Sequence, residues 1–382
     1  MSETLQLTKD LVRLPSITPD DAGCQNLIAD RLAAIGFANE TMPFGEVKNL
    51  WSRRGKTGPL LVFLGHTDVV PVGAQSSWVS PPFEPTERDG NLYGRGTADM
   101  KANIAAFVTA LERFSKAHDS NTAIASVALL LTSDEEGPAT NGTIKVVEAL
   151  KARNEKIDYC IVGEPSSVKK VGDMVKNGRR GSLNGRITVE GKQGHVAYPQ
   201  RAINPIHTFA PAAAELCQMQ WDQGNQFFPP TSFQISNISS GTGADNVIPA
   251  TLEAWFNFRF STESTPEQLQ KTVEGVLDKH KIARDIDWKL SGIPFLTATG
   301  KLLTAVQQSI LAVTGITTEL STSGGTSDGR FVAPGGAEIV EVGLVNDTIH
   351  QVNECCGIGD LEILSNIYEQ ILVRLLMPAA ED

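Results

Sequence analysis

The sequence has little that would suit a polyanion or a membrane. Among its 382 residues, 33 lysines and arginines stand against 44 acids, a formal net charge of -11. Nucleic acids and anionic membrane surfaces call for a basic patch, so neither is expected as a partner. No window approaches the roughly 18 uninterrupted apolar residues of a membrane span. The opening MSETLQLTKDLVRLPSITPDD lacks the basic, apolar and small-residue zones of a secretory leader, and a cytoplasmic protein is expected. Cysteine is also sparse. Cys24, Cys160, Cys217, Cys355 and Cys356 are odd in number and include no CxxC, which argues against a disulfide framework, a structural zinc motif or a redox pair. The adjacent Cys355 and Cys356 are expected as free thiols.

What remains is an ordinary globular composition, 41% hydrophobic and 20% charged, without repeats or low-complexity tracts. Its length exceeds the size at which single cores usually stop growing, so two domains are expected. Residues 60–64 (LLVFL), 126–131 (SVALLL) and 159–162 (YCIV) read as buried strands. Between the first two, Ile104, Phe107, Val108, Leu111 and Phe114 recur at helical spacing. The pattern returns late, with a strand over 337–345 and a long helix over 360–376. Strands alternating with helices predict an α/β fold with a largely parallel or mixed sheet. The middle reads as β-α-β-β-α-β, the order of a ferredoxin-like unit. Gly178 to Gly181 and Ser291 to Pro294 are the expected hinges. The expected organisation is a catalytic domain over 1–178 and 294–382, interrupted by an inserted domain over 179–293.

The stretch LLVFLGHTDVVP ends a core strand on a histidine and a carboxylate two positions apart. In open α/β sheets chemistry gathers beyond the carboxyl ends of the strands. Those ends deliver His66 and Asp68, then Asp134, Glu135 and Glu136, then Glu164, and finally His350. Asp99 lies just before the helix that carries Phe107. Singly, each has a plain explanation: Asp99 caps a helix, His66 is a core histidine, Glu135 and Glu136 are surface acids, and Glu164-Pro165 is a turn. Together, several carboxylates in one crevice would repel and lose hydration unless cations neutralise them. Two histidines and three carboxylates without a thiolate suit two zinc ions, with cobalt or manganese as substitutes. If Asp99 bridges, His66 pairs with Glu164 on one ion and His350 with Glu136 on the other. Asp68, on the same side of an extended segment, is expected to accept the second ring N–H of His66. Glu135 is left to take a proton from the attacking water and pass it to a leaving amine. Arg179 and Arg259, with Ser182, Asn246, Gly325 and Thr326, are candidates for holding substrate carboxylates, because a guanidinium matches a carboxylate in shape. Arg180 and Arg201 are expected in surface salt bridges, and His118, His207 and His280 in no catalytic role.

With GHTDVVP, GRGTADMKA, TSDEEG, GEPS and the late His350 in this order, the chain resembles the two-zinc aminoacylase and carboxypeptidase family over essentially its whole length. The resemblance implies a zinc-exopeptidase-like α/β/α catalytic domain with an inserted ferredoxin-like dimerisation domain, and a homodimer. It implies that His66, Asp99, Glu136, Glu164 and His350 hold two zinc ions with Asp99 as the bridge. Glu135 would be the general base, Asp68 the partner of His66, and Asp99-Met100 a cis peptide. His195, in GHVAYP, is similar to a family histidine that steadies the oxyanion in the neighbouring subunit's site. Two longer stretches, 177–207 and 321–331, resemble the branch that hydrolyses N-succinyl-LL-2,6-diaminopimelate to succinate and LL-2,6-diaminopimelate; N-acetylornithine is the alternative substrate.

Other classes are weaker. The GRG at Gly94 to Gly96 lacks the third glycine and the strand-end acid of a dinucleotide fold. A ferredoxin-like RNA-binding module would need an RNP-like aromatic motif, which does not appear, and the chain is acidic. A binding protein derived from a dead enzyme would not be expected to keep Glu135 beside a full ligand set.

Overall fold

The stretch LLVFLGH forms the strand Leu60–His66, and all of it is buried. A strand covered on both faces needs no polar alternation, which is why its sequence is a continuous apolar run. The computed structural model describes residues 2–118 and 125–378. The chain divides into two compact units, one of Met1–Gly178, Leu296–Ser321 and Ser327–Asp382, the other of Arg179–Phe295 and Thr322–Thr326.

The first unit is built on an eight-stranded sheet. Its strands follow one another in the order Ala38–Thr41, Asn49–Arg54, Ser126–Thr132, Leu60–His66, Tyr159–Val162, Glu338–Glu341, Met174–Lys176 and Glu319–Ser321. The four from Ser126–Thr132 to Glu338–Glu341 pair in parallel, while antiparallel pairings toward the edges make the sheet mixed. The helix Lys101–Ala117 connects two parallel strands, and its periodic apolar residues lie in the core. Phe107 stacks on Phe63 with centroids 4.0 Å apart, and Tyr368 of the helix Ile358–Leu376 meets both rings edge-on. Each such ring contributes roughly 1.5–3 kcal/mol by leaving water. The late strand is shorter than the 337–345 its composition suggests, because side chains replace the ladder after Glu341. Gly343 N–H donates to Ser166 Oγ and Leu344 N–H to Asn103 Oδ1.

The second unit has the expected β-α-β-β-α-β order, with an antiparallel sheet arranged Ser232–Ser240, Thr251–Phe260, Gly181–Glu190, Arg284–Gly292. Along Thr251–Phe260, Leu252, Ala254, Phe256, Phe258 and Phe260 alternate inward and are buried, as the two-residue period of a half-covered strand requires. The helices Pro205–Gln218 and Pro266–Lys279 supply Phe209, Leu216, Leu269 and Val273 to the same core. Two boundaries differ from the sequence reading: the middle segment runs to Phe295 rather than 293, and five residues of the last segment change unit. Thr322–Thr326, placed there in the second catalytic segment, belongs to this unit: Thr322 Oγ1 donates to Phe227 O at 2.6 Å, and Ser323 and Gly325 carbonyls receive the Arg179 guanidinium.

All five cysteines are free. Among the described residues no helix is long and apolar enough to cross a membrane.

Candidate metal centre

Three neighbouring parallel strands of the first unit end on one side and deliver donors there, and a separate segment adds His350. His66 closes Leu60–His66, Glu135 and Glu136 follow Ser126–Thr132, Glu164 lies just past Tyr159–Val162, and His350 precedes Cys355–Gly357. Two glycines set the approach. A Cβ on Gly65 would stand 2.6 Å from Met100 Cε, and one on Gly163 would stand 2.4 Å from Phe63 Cζ and 2.5 Å from Met100 Cε. The residues before His66 and Glu164 therefore have no room for a side chain, because Met100 lies across both.

Asp99 occupies the middle of the group. Its Oδ1 is 3.1 Å from His66 Nε2, and its Oδ2 is 3.3 Å from His350 Nε2. His66 Nε2 also lies 3.7 Å from Glu164 Oε1, and His350 Nε2 lies 3.0 Å from Glu136 Oε1. One carboxylate thus divides its two oxygens between two half-sites, each with one histidine and one glutamate. Asp99 does not cap the helix that follows it: the cap position is Met100, with no side-chain cap bond. The Asp99-Met100 peptide is cis. Donor atoms of His66, Asp99 and Glu136 lie within 4.8 Å of one another, and so do those of His66, Glu135 and Glu164. Proximity alone does not set Glu135 apart from its neighbours. Its lack of an ion pair to either histidine, among the described residues, does.

Asp68 acts differently from the sequence expectation. The ring N–H of His66 at Nδ1 donates to the backbone carbonyl of Asp68 at 2.9 Å, and the Asp68 carboxylate is farther off, at 3.7 Å. A carbonyl can only accept, so this contact places the proton on Nδ1 and leaves Nε2 facing the acids. The carboxylate instead receives the N–H of Glu136 at 3.1 Å and of Glu135 at 3.4 Å. It fixes the backbone of the two glutamates, because the turn after Ser126–Thr132 brings their amides over it.

The electrostatics follow from crowding in a dry place. Burial raises the Glu135 carboxyl to about 8, with the negative charges of Asp328, Glu136 and Asp99 adding to the effect against the pull of His66. Burial likewise pushes Glu164 well above the carboxylate range, helped by Asp99 and Glu135. Burial holds Asp68 at about 6. Burial works against ionisation of Asp99 too, but hydrogen bonds to His350 and His66 outweigh it and hold Asp99 low. Bonds to Asp99 and Glu136 raise His350 to about 10. Three carboxylates and two histidines with protons forced onto several of them form a donor set that divalent cations fit, since cations would supply the charge that protons now supply.

The remaining candidates all belong to the second unit. His195 lies in the short strand Gly194–His195, exposed, with Nδ1 accepting the Ala197 N–H at 3.1 Å. Asn246 is close by, its carbonyl accepting the Val196 N–H at 3.1 Å. Ser182 and Arg259 are directly opposed in the Gly181–Glu190 and Thr251–Phe260 ladder, and Asn257 donates to Ser182 Oγ at 3.0 Å. Arg179 donates to the carbonyls of Ser323 and Gly325 at 3.1 and 3.3 Å, so Gly325 and Thr326 lie on the loop it holds. Arg180 and Arg201 make no surface salt bridge among the described residues. Arg201 lies over the Tyr198 ring at 5.3 Å, and Arg180 points at Gly324 O at 3.5 Å. His280 pairs with Glu215 at 2.7 Å, and His118 packs on Phe114.

Two residues escaped the sequence reading. Arg95 and Glu354 form a buried ion pair beside Asp99. The signal was present in GRGTAD and NECC, each a charged residue inside a stretch already of interest for other reasons.

Residues 62–374 match the model of Peptidase family M20/M25/M40. The chain is similar to the succinyl-diaminopimelate desuccinylase of Nitrosococcus oceani, 62% identical over 376 residues that cover 98% of this chain and 100% of that one. Among solved structures it is similar to an M20 family metallo-carboxypeptidase from Sulfolobus solfataricus, with TM-score 0.82, 18% identity, and coverage of 98% and 99%. It is also similar to a dinuclear metal-binding M20 peptidase from Bacillus subtilis, with TM-score 0.73, 16% identity, and coverage of 98% and 97%.

Proposed function

Because the chain belongs to peptidase family M20/M25/M40, we propose that it hydrolyses the amide of N-succinyl-LL-2,6-diaminopimelate to succinate and LL-2,6-diaminopimelate. The observation that carries the chemistry is the division of Asp99 between His66 and His350. What supports the substrate is 62% identity to a desuccinylase along nearly the whole chain.

His66, Asp99 and Glu164 would hold one divalent cation, and His350, Asp99 and Glu136 a second; zinc suits this donor set, with cobalt or manganese as substitutes. When bound, the cations would polarise the amide carbonyl and make a water acidic enough to attack near neutral pH. Asp68 keeps Glu135 and Glu136 in place through their backbone amides. Glu135 takes a proton from the attacking water and returns it to the departing nitrogen, so the amine leaves neutral. Its raised proton affinity suits both transfers. From the family resemblance, His195 steadies the oxyanion in the site of a second subunit, which makes a homodimer through the inserted unit part of the proposal. Arg179, Arg259, Ser182, Asn246, Gly325 and Thr326 hold the substrate carboxylates. We place this biosynthetic reaction in the cytoplasm.

The test is hydrolysis of N-succinyl-LL-2,6-diaminopimelate and N-acetylornithine side by side by the zinc-loaded protein. A strong preference for the succinylated compound is expected. Preference for the acetylated one would overturn the substrate and leave the metal chemistry standing.

A further inference from the structure

The proposed reaction uses neither Arg95 nor Glu354, yet their side chains are only 2% and 1% exposed. Burying two charges strips both of their hydration, and such a pair is weak evidence for stability by itself. Its hydrogen bonds show what it holds instead. Glu354 Oε1 accepts the N–H of Ala98 at 2.8 Å and of Asp99 at 3.0 Å. Its Oε2 accepts the N–H of Gly96 at 2.9 Å and Arg95 Nη1 at 2.8 Å. The Glu354 carbonyl accepts the Gly94 N–H at 3.0 Å. Arg95 in turn donates to Gln351 O at 3.2 Å and lies over the Trp78 ring.

The clamp therefore grips the backbone that presents Asp99, and it does so from the segment that presents His350. That segment is closed at its base by Thr348, whose hydroxyl donates to Cys355 O at 2.9 Å and accepts the Cys355 N–H at 3.0 Å. His350 sits between these ties at φ +61°. His66, by contrast, is carried by a strand of the central sheet, and Glu164 follows the next one.

We propose that Glu354, paired with Arg95, is a positioning residue that sets the spacing of Asp99 and His350 and thereby shapes the cation site on the His350 side. The proposal rests on the two-cation reading above. Glu354→Gln keeps the size of the side chain but turns an amide NH2 toward groups that can only donate, whichever way it is flipped.

The experiment is calorimetric titration of zinc into chelator-stripped protein. The unaltered chain should take up two ions per subunit in two events. Glu354→Gln should weaken one event roughly 10–100-fold, as loss of a partner that orients a ligand does, and the other, which shares Asp99 but is anchored on the central sheet, distinctly less. His350→Ala identifies that event, and adding Glu354→Gln to it should weaken the surviving event by no more than that smaller amount. Thr348→Val, which spares the buried pair, should weaken the same event less and serves if Glu354→Gln does not fold. Two events of unaltered affinity in a folded Glu354→Gln or Thr348→Val, or equal weakening of both, would overturn the proposal. Uptake of fewer than two ions by the unaltered chain would overturn instead the two-cation reading beneath it.

Discussion

In the first unit His66, Asp68, Asp99, Glu135, Glu136, Glu164 and His350 converge from strand ends and loops, with His66, Asp68 and Asp99 buried, the three glutamates half-buried and His350 exposed. In the second, His195, Asn246 and the loop around Gly325 are exposed, while Arg179 spends its donors on loop carbonyls. One group is assembled by the chain's own packing and carries its own electrostatic tension. The other lies at the surface of its unit. Chemistry that needs fixed charges is expected in the first, and recognition that forms with a substrate or a second subunit in the second.

The largest expected effect breaks the first group. Glu135→Ala should lower turnover about 10²–10⁴-fold, the usual contribution of a positioned acid-base, while uptake of two zinc ions stays within a few-fold of normal. Retained turnover in a zinc-loaded Glu135→Ala protein would remove Glu135 from the reaction. Next comes the second group: His195→Ala should lower kcat about 10²–10³-fold with metal uptake unchanged. Mixing the inactive His195→Ala and Glu135→Ala proteins should recover part of the activity if His195 serves a neighbouring subunit. No recovery, in a mixture shown to exchange subunits, would confine His195 to its own chain.

A third comparison concerns pH in the metal-free protein. His350 is raised from 6.5 to about 10, so its contribution to stability is complete below 6.5 and fades as pH rises toward 10. Glu135 is raised from 4.5 to about 8, so the folded state also loses ground to the unfolded one between those values as pH rises. Both terms have the same sign. The melting temperature of chelated protein should fall from pH 5 toward pH 10, and zinc should flatten the fall; parallel curves with and without zinc would contradict this. The smallest effects compare two glycines. Gly163→Val should destabilise by about 1–3 kcal/mol through overpacking, since even a Cβ meets Phe63 and Met100. Gly275→Ala, in the helix Pro266–Lys279 with nothing within 4 Å, should stabilise by about 0.4–1 kcal/mol. Chemical denaturation checks both signs.

Much of this was readable in advance because the information is local. Apolar runs that end on His66 or just before Glu164 announce both a buried strand and what it delivers, and the period-two pattern of Thr251–Phe260 announces a half-covered sheet. The helices Glu3–Val12 and Cys24–Ala34, the edge strand Ala38–Thr41 and its neighbour Asn49–Arg54 were not singled out, because mixed polar and apolar sequences fix their state only through tertiary contact. Which atom of Asp68 meets His66 was equally hidden, since carbonyl and carboxylate belong to the same residue and only the turn decides. The Arg95–Glu354 clamp joins residues 259 positions apart, a separation that no spacing rule spans.

The most direct test is anomalous diffraction at the zinc edge from crystals grown with zinc. The account predicts two peaks in each subunit, one among His66, Glu164 and one oxygen of Asp99, the other among His350, Glu136 and the second oxygen. A single peak, or a peak with Glu135 in place of Glu164 or Glu136, would contradict it.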